Sequence, residues 1–144
     1  MTMSKLTAAI AGIGVTFASS FALAATPPAN IKTMHTKLGT VYATSQGMTV
    51  YEFKQDNPKT QISACYGNCA VLWPPVVAPA GFVPTKPWGV TTRKDGSREL
   101  TYEGYPLYTW IKDTKPGEVT GQGVKGVWRV ARPGTAQVSW KSAP

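Results

Sequence analysis

The feature that most constrains the fold is a repeated motif. Tyr51-Glu52-Phe53-Lys54-Gln55-Asp56 returns as Tyr108-Thr109-Trp110-Ile111-Lys112-Asp113, and both read Tyr-x-aromatic-x-x-Asp. The copies lie 57 positions apart, and the same offset pairs Gly47 with Gly104 and Val50 with Leu107. The chain is therefore expected to consist of two related halves. Each half is too short to bury a core alone, so the two are expected to pack on each other.

Met1–Lys5 carry one positive charge, and the apolar run after them ends in Ala22-Leu23-Ala24. That pattern reads as a secretory signal over 1–24, cleaved near Ala24. The mature protein is expected in the periplasm or outside the cell, and no later run is long enough to span a membrane. It would hold 14 basic and 7 acidic residues, a net charge of +7. The basic residues are scattered and no nucleic-acid module is present, so an envelope protein, a glycan or an anionic lipid surface is the expected partner class.

Residues 25–38, with Pro27-Pro28, read as a flexible entry arm. A single β-domain is expected over 39–144, with repeats at about 39–77 and 88–133. Thr40–Thr44 and Met48–Phe53 flank a Gly47 turn and suggest a hairpin. Trp88–Arg93 and Arg98–Tyr102 flank a Lys94-Asp95-Gly96 turn and suggest another. Val127–Ala131 and Ala136–Trp140 are further strand candidates. Pro75–Pro87 reads as a rigid surface connection, and Ser63 is a possible cap for a short helical turn near Cys65–Trp73. Together these features predict an all-β fold, a small antiparallel sandwich or partly open barrel. Tyr51, Phe53, Trp73, Trp88, Tyr108, Trp110 and Trp128 are its expected core aromatics.

The paired motifs, Cys65-x-Gly67-x-Cys69-Ala70 before Trp73-Pro74-Pro75, and Gly104-x-Pro106-Leu107-Tyr108 resemble the bacterial secreted-repeat lipoprotein family of unknown function. The resemblance implies an exported two-repeat envelope protein and carries over no catalytic residue. No lipobox cysteine stands near the expected cleavage point.

Few residues are equipped for chemistry. Cys65 and Cys69 are the two cysteines, and in an oxidising compartment their simplest state is a disulfide. A thiol-redox pair is an alternative, as is a Cu(I) site with Met34, His35 and Met48 as further ligands. His35 is the single histidine, and no nucleophile elbow is present, so no catalytic residue is assigned. Asp56 and Asp113 read as turn anchors. Gly121-x-Gly123-x-x-Gly126 leads into a strand, not a helix, and is rejected as a phosphate loop. The expected function is a non-enzymatic binding module without a cofactor, with the copper or redox protein as the alternative.

Overall fold

The computed structural model describes residues 9–16 and 25–141, so the expected cleavage site, and all of the expected signal but residues 9–16, lie outside the described residues. Among the described residues seven strands form in chain order: β1 (Ile31–Thr36), β2 (Gly39–Thr44), β3 (Tyr51–Phe53), β4 (Trp88–Thr92), β5 (Arg98–Tyr102), β6 (Tyr105–Tyr108) and β7 (Trp128–Val130). Among the described residues, helical structure is limited to α1 (Asn68–Leu72) and a 3-10 turn at Val124–Gly126. β1 and β2 make a two-stranded sheet, and a five-stranded sheet runs β4-β5-β6-β3-β7. All pairings are antiparallel. The result is an all-β, sandwich-like domain without barrel closure.

The two motif strands meet at the centre. β3 pairs with β6 so that Tyr51 stands opposite Tyr108. A pseudo-twofold axis therefore passes between the repeats. The Val50 carbonyl accepts from Ala131 N–H at 2.9 Å, and its counterpart Leu107 accepts from Val76 N–H at 2.8 Å. Trp73 and Trp128 thus open equivalent segments. The first of these pairs with Tyr108 only as an isolated bridge at Pro75. Pro74 and Pro75 have no N–H to extend the ladder.

Side-chain alternation along these strands divides the core. Tyr51, Phe53 and Tyr108 enter one buried cluster with Trp73, Trp110 and Trp128. Val50 and Leu107 enter the other, with Tyr42, Trp88, Leu100 and Tyr102. Tyr42 lies edge-on to both Trp88 and Tyr102, with centroids 4.8 and 4.9 Å away.

Several local expectations are corrected. The arm read over 25–38 is a strand from Ile31 onward, and it pairs with β2 from Ile31↔Thr44 to Thr36↔Gly39. Ile31 is core, Ala25 packs on the same cluster, and Asn30 donates to the Val77 carbonyl. The polar, outward residues of β1 concealed this pairing. The hairpin read between Thr40–Thr44 and Met48–Phe53 is present in short form: Thr44 N–H bonds the Met48 carbonyl, Val50 N–H bonds the Tyr42 carbonyl and Ala43 bridges Thr49, while the other edge of β2 pairs with β1. α1 begins at Asn68 with Gly67 as N-cap, so Ser63 does not cap it. Ala136–Trp140 forms no strand.

Candidate functional site

The repeats complete each other residue by residue. Tyr51 of the first donates its hydroxyl to Asp113 of the second at 2.5 Å, and Tyr108 of the second donates to Asp56 of the first at 2.7 Å. The other oxygen of each carboxylate ties down its own loop. Asp56 Oδ1 accepts from Ala64 N–H, and Asp113 Oδ1 accepts from Thr120 N–H. The aspartates therefore anchor their loops at long range and hold the opposite repeat's tyrosine. Burial, then the Asp113 carboxylate, push the Tyr51 hydroxyl far above its ordinary pKa. Burial does the same to Tyr108, with Glu99 and Asp56 adding to it. Both phenols are fixed neutral donors.

The aromatic positions interlock in the same way. Phe53 stacks on Trp128 (centroids 4.3 Å), Trp128 on Trp73 (3.7 Å) and Trp73 on Trp110 (3.9 Å). Each motif aromatic thus lies on the tryptophan of the other repeat. Tyr51 and Tyr108 meet Trp73 and Trp128 edge-on from within their own repeats. A third exchange joins the turns. Gly104 lies against Pro58, and Gly47 lies against Pro116. A Cβ on Gly104 would come within 2.1 Å of the Pro58 carbonyl oxygen.

Two buried ion pairs flank this centre. Glu52 pairs with its cross-strand neighbour Arg129 at 2.7 Å, and Arg129 also lies over the Trp140 ring at 4.0 Å. Glu99 pairs with Arg93 at 2.8 Å, and Arg93 donates further to Ser63 and to the Cys65 carbonyl. The second oxygen of each glutamate is buried without a hydrogen-bond partner. Burial lifts Glu99 to about 8 and Glu52 to about 7 against the pull of their arginines. It lifts Asp56 to about 6 against its hydrogen bonds from Ala64 and Tyr108. Sequence reasoning missed both pairs. The available signal was Glu52 itself, which shares a strand face with the apolar Val50.

Beside the ring stack a groove opens. Its deeper part has a volume of about 330 Å³ and is walled by Phe53, Trp73, Trp110, Trp128, Leu72 and Val124. It continues into an outer part that shares Leu72, Trp110, Val124 and Lys125 and adds Lys112 and Thr120. Lys112 Nζ sits 5.7 Å from the centroid of Trp110, the end ring of the stack. Gln55 and Asn68 supply neutral polar groups. Lys125 lies between Gly123 and Gly126 in the left-handed region, at φ 51°. That region costs a side-chain-bearing residue about 1–2 kcal/mol. Neither the groove nor Lys125 was legible as a site in the sequence.

Cys65 and Cys69 form a disulfide, with sulfurs 2.10 Å apart. Cys65 precedes α1 and is buried, while Cys69 lies within α1 and lines the groove. As a disulfide the pair offers no thiolate. The other copper candidates stand elsewhere. Met34 packs by Gly47 and Gly117, exposed His35 shares a hydrogen bond with Thr40, and Met48 follows the β2 turn, where its N–H bonds Thr44. Among the described residues no three His, Cys, Asp or Glu side chains cluster as a metal site. No described helix is long and apolar enough to cross a membrane.

A family model described as a secreted repeat of unknown function matches the chain twice, over residues 32–77 and 89–132. The first match begins within β1, so that strand is part of the repeat. No curated protein and no solved structure matches the chain.

Proposed function

The chain belongs to the family of secreted repeats of unknown function, and from that premise we propose that it is an exported, non-enzymatic binding module of the cell envelope whose ligand surface is the lysine-rimmed aromatic groove. Residues 1–24 are removed on export, and residues 25–144 act as one domain of two repeats, in the periplasm or outside the cell. The observation that carries this reading is Lys125. A glycine would occupy its left-handed backbone without strain, yet a lysine stands there and lines both parts of the groove. The motif tyrosines and both oxygens of Asp56 and Asp113 are hydrogen-bonded within the fold, which suits a scaffold rather than a reaction centre.

The test is retention of the purified exported protein on envelope material as salt is raised. Binding that falls with ionic strength and weakens in Lys112→Ala and Lys125→Gly supports the reading. Retention indifferent to both substitutions would place binding on another surface.

A further inference from the structure

We propose that the outer edge of β4 is a homodimer interface, at which a second copy of the chain adds its own β4 antiparallel about Thr91. Arg93 N–H donates to the Ser97 carbonyl and Glu103 N–H to the Pro87 carbonyl, each at 2.8 Å. These bonds bracket the β4–β5 ladder, so its bonding pairs fall at Gly89↔Thr101 and Thr91↔Glu99. Trp88, Val90 and Thr92 therefore turn their N–H and C=O groups away from β5. The Trp88 N–H is taken by the Thr85 carbonyl at 3.0 Å. The outward groups of Val90 and Thr92 have no partner among the described residues. Val90 is half-buried and Thr92 is exposed.

Other sheet edges are protected. At β7, Gly123 N–H bonds the Trp128 carbonyl and Val130 N–H bonds Gln122 Oε1. β1 carries Lys32 and is followed by Lys37, and such charges deter edge pairing. β4 reads Trp-Gly-Val-Thr-Thr and has neither device. A second copy fits this edge because the two open residues flank Thr91. A two-fold axis there sets Val90 of each copy opposite Thr92 of the other, and all the open groups bond at once. Thr91 meets its own counterpart at the axis, a favourable cross-strand pair. Gly89 and Trp88 fall opposite Arg93 and Lys94, so no like charges face each other although the protein is basic. The same register brings the Asp95 turn of each copy toward Lys86 of the other. Pairing uses the free β4 edge of both copies, so assembly closes at a dimer. An extended segment of another protein would have no need of this symmetry.

The experiment follows sedimentation and amide hydrogen exchange of the purified exported protein over a wide concentration range. A reversible dimer is expected. The Val90 and Thr92 amides should exchange fast when dilute and become protected as the dimer fills, while the Thr91 amide is protected throughout. Thr92→Pro removes an outward N–H from each copy and leaves the β4–β5 ladder intact, so it should weaken the dimer roughly tenfold. Thr91→Lys and Thr91→Glu should each be monomeric alone and pair when mixed. Thermal midpoints confirm that the variants fold, and the exchange readout on the unaltered chain needs no variant. A monomer at every concentration would overturn the proposal. So would a dimer in which the Val90 and Thr92 amides stay unprotected, or one that survives Thr91→Lys. Protection of those two amides at every dilution would reveal a partner within the chain and overturn it as well.

Discussion

At the scale of single residues, the reciprocal hydrogen bonds and close approaches make unequal demands on similar side chains. Tyr51→Phe removes one hydroxyl but leaves Asp113 Oδ2 and the Gly121 N–H without their partner. Buried groups left unpaired cost about 1–3 kcal/mol, so denaturant unfolding should show a loss of that size. Tyr108→Phe should match it, since that hydroxyl bonds both Asp56 and Ser63. The glycines provide a control for backbone strain. Gly96 and Gly104 have φ of 84° and 86°, but a Cβ on Gly96 meets open space while one on Gly104 meets the Pro58 backbone. Gly96→Ala should cost about 1–2 kcal/mol. Gly104→Ala should cost clearly more, and equal losses would mean that the Pro58 contact yields freely.

At the scale of elements, the disulfide and the ion pairs govern how firmly the loops are held. The loop closed by Cys65 and Cys69 is short, so Cys65→Ser with Cys69→Ser should cost roughly 2 kcal/mol and be felt first at the turn of the β4–β5 hairpin, where Arg93 donates to the Cys65 carbonyl. The buried carboxylates predict a pH dependence. Asp56, Glu52 and Glu99 are all raised, to about 6, 7 and 8. Over the pH range between its ordinary and its raised pKa, each holds a proton in the folded chain that the unfolded chain has released. Their contribution is therefore fully present below about pH 4 and is lost as pH rises through the folded values. The thermal midpoint should fall between pH 5 and pH 8, and Glu99→Gln should flatten that slope. A midpoint that rises over the same interval would show that the arginines dominate burial.

How much of this was legible in the sequence depends on the range of the interactions. The motif spacing revealed the halves, and the alternation of Val50 against Tyr51 and Phe53 placed them on opposite core faces, as found. Strand β1 was hidden because its exposed face is polar and its partner lies across a short turn. The crossing of Tyr51 to Asp113 could not be read from spacing, since a pairing within each motif copy satisfies the same pattern. The groove was hidden for a similar reason. It needs residues from four separated segments, 53–55, 68–73, 110–112 and 120–128, and its defining backbone angle at Lys125 leaves no mark in residue type.

At the scale of the whole molecule, the Tyr–Asp, aromatic–tryptophan and Gly–Pro exchanges all run from one repeat to the other. Neither repeat satisfies its own motif. The Trp128–Trp73 contact at the axis, with rings only 3° from parallel, is the joint on which the groove is built. The domain should therefore unfold as one cooperative unit, although it reads as two copies. Hydrogen exchange on the intact chain and on Tyr51→Phe tests this most directly. Matched loss of protection in β3 and β6, and in both loops behind them, is the predicted result. Loss confined to the first repeat, with β5 and β6 keeping their full protection, would contradict the interlock.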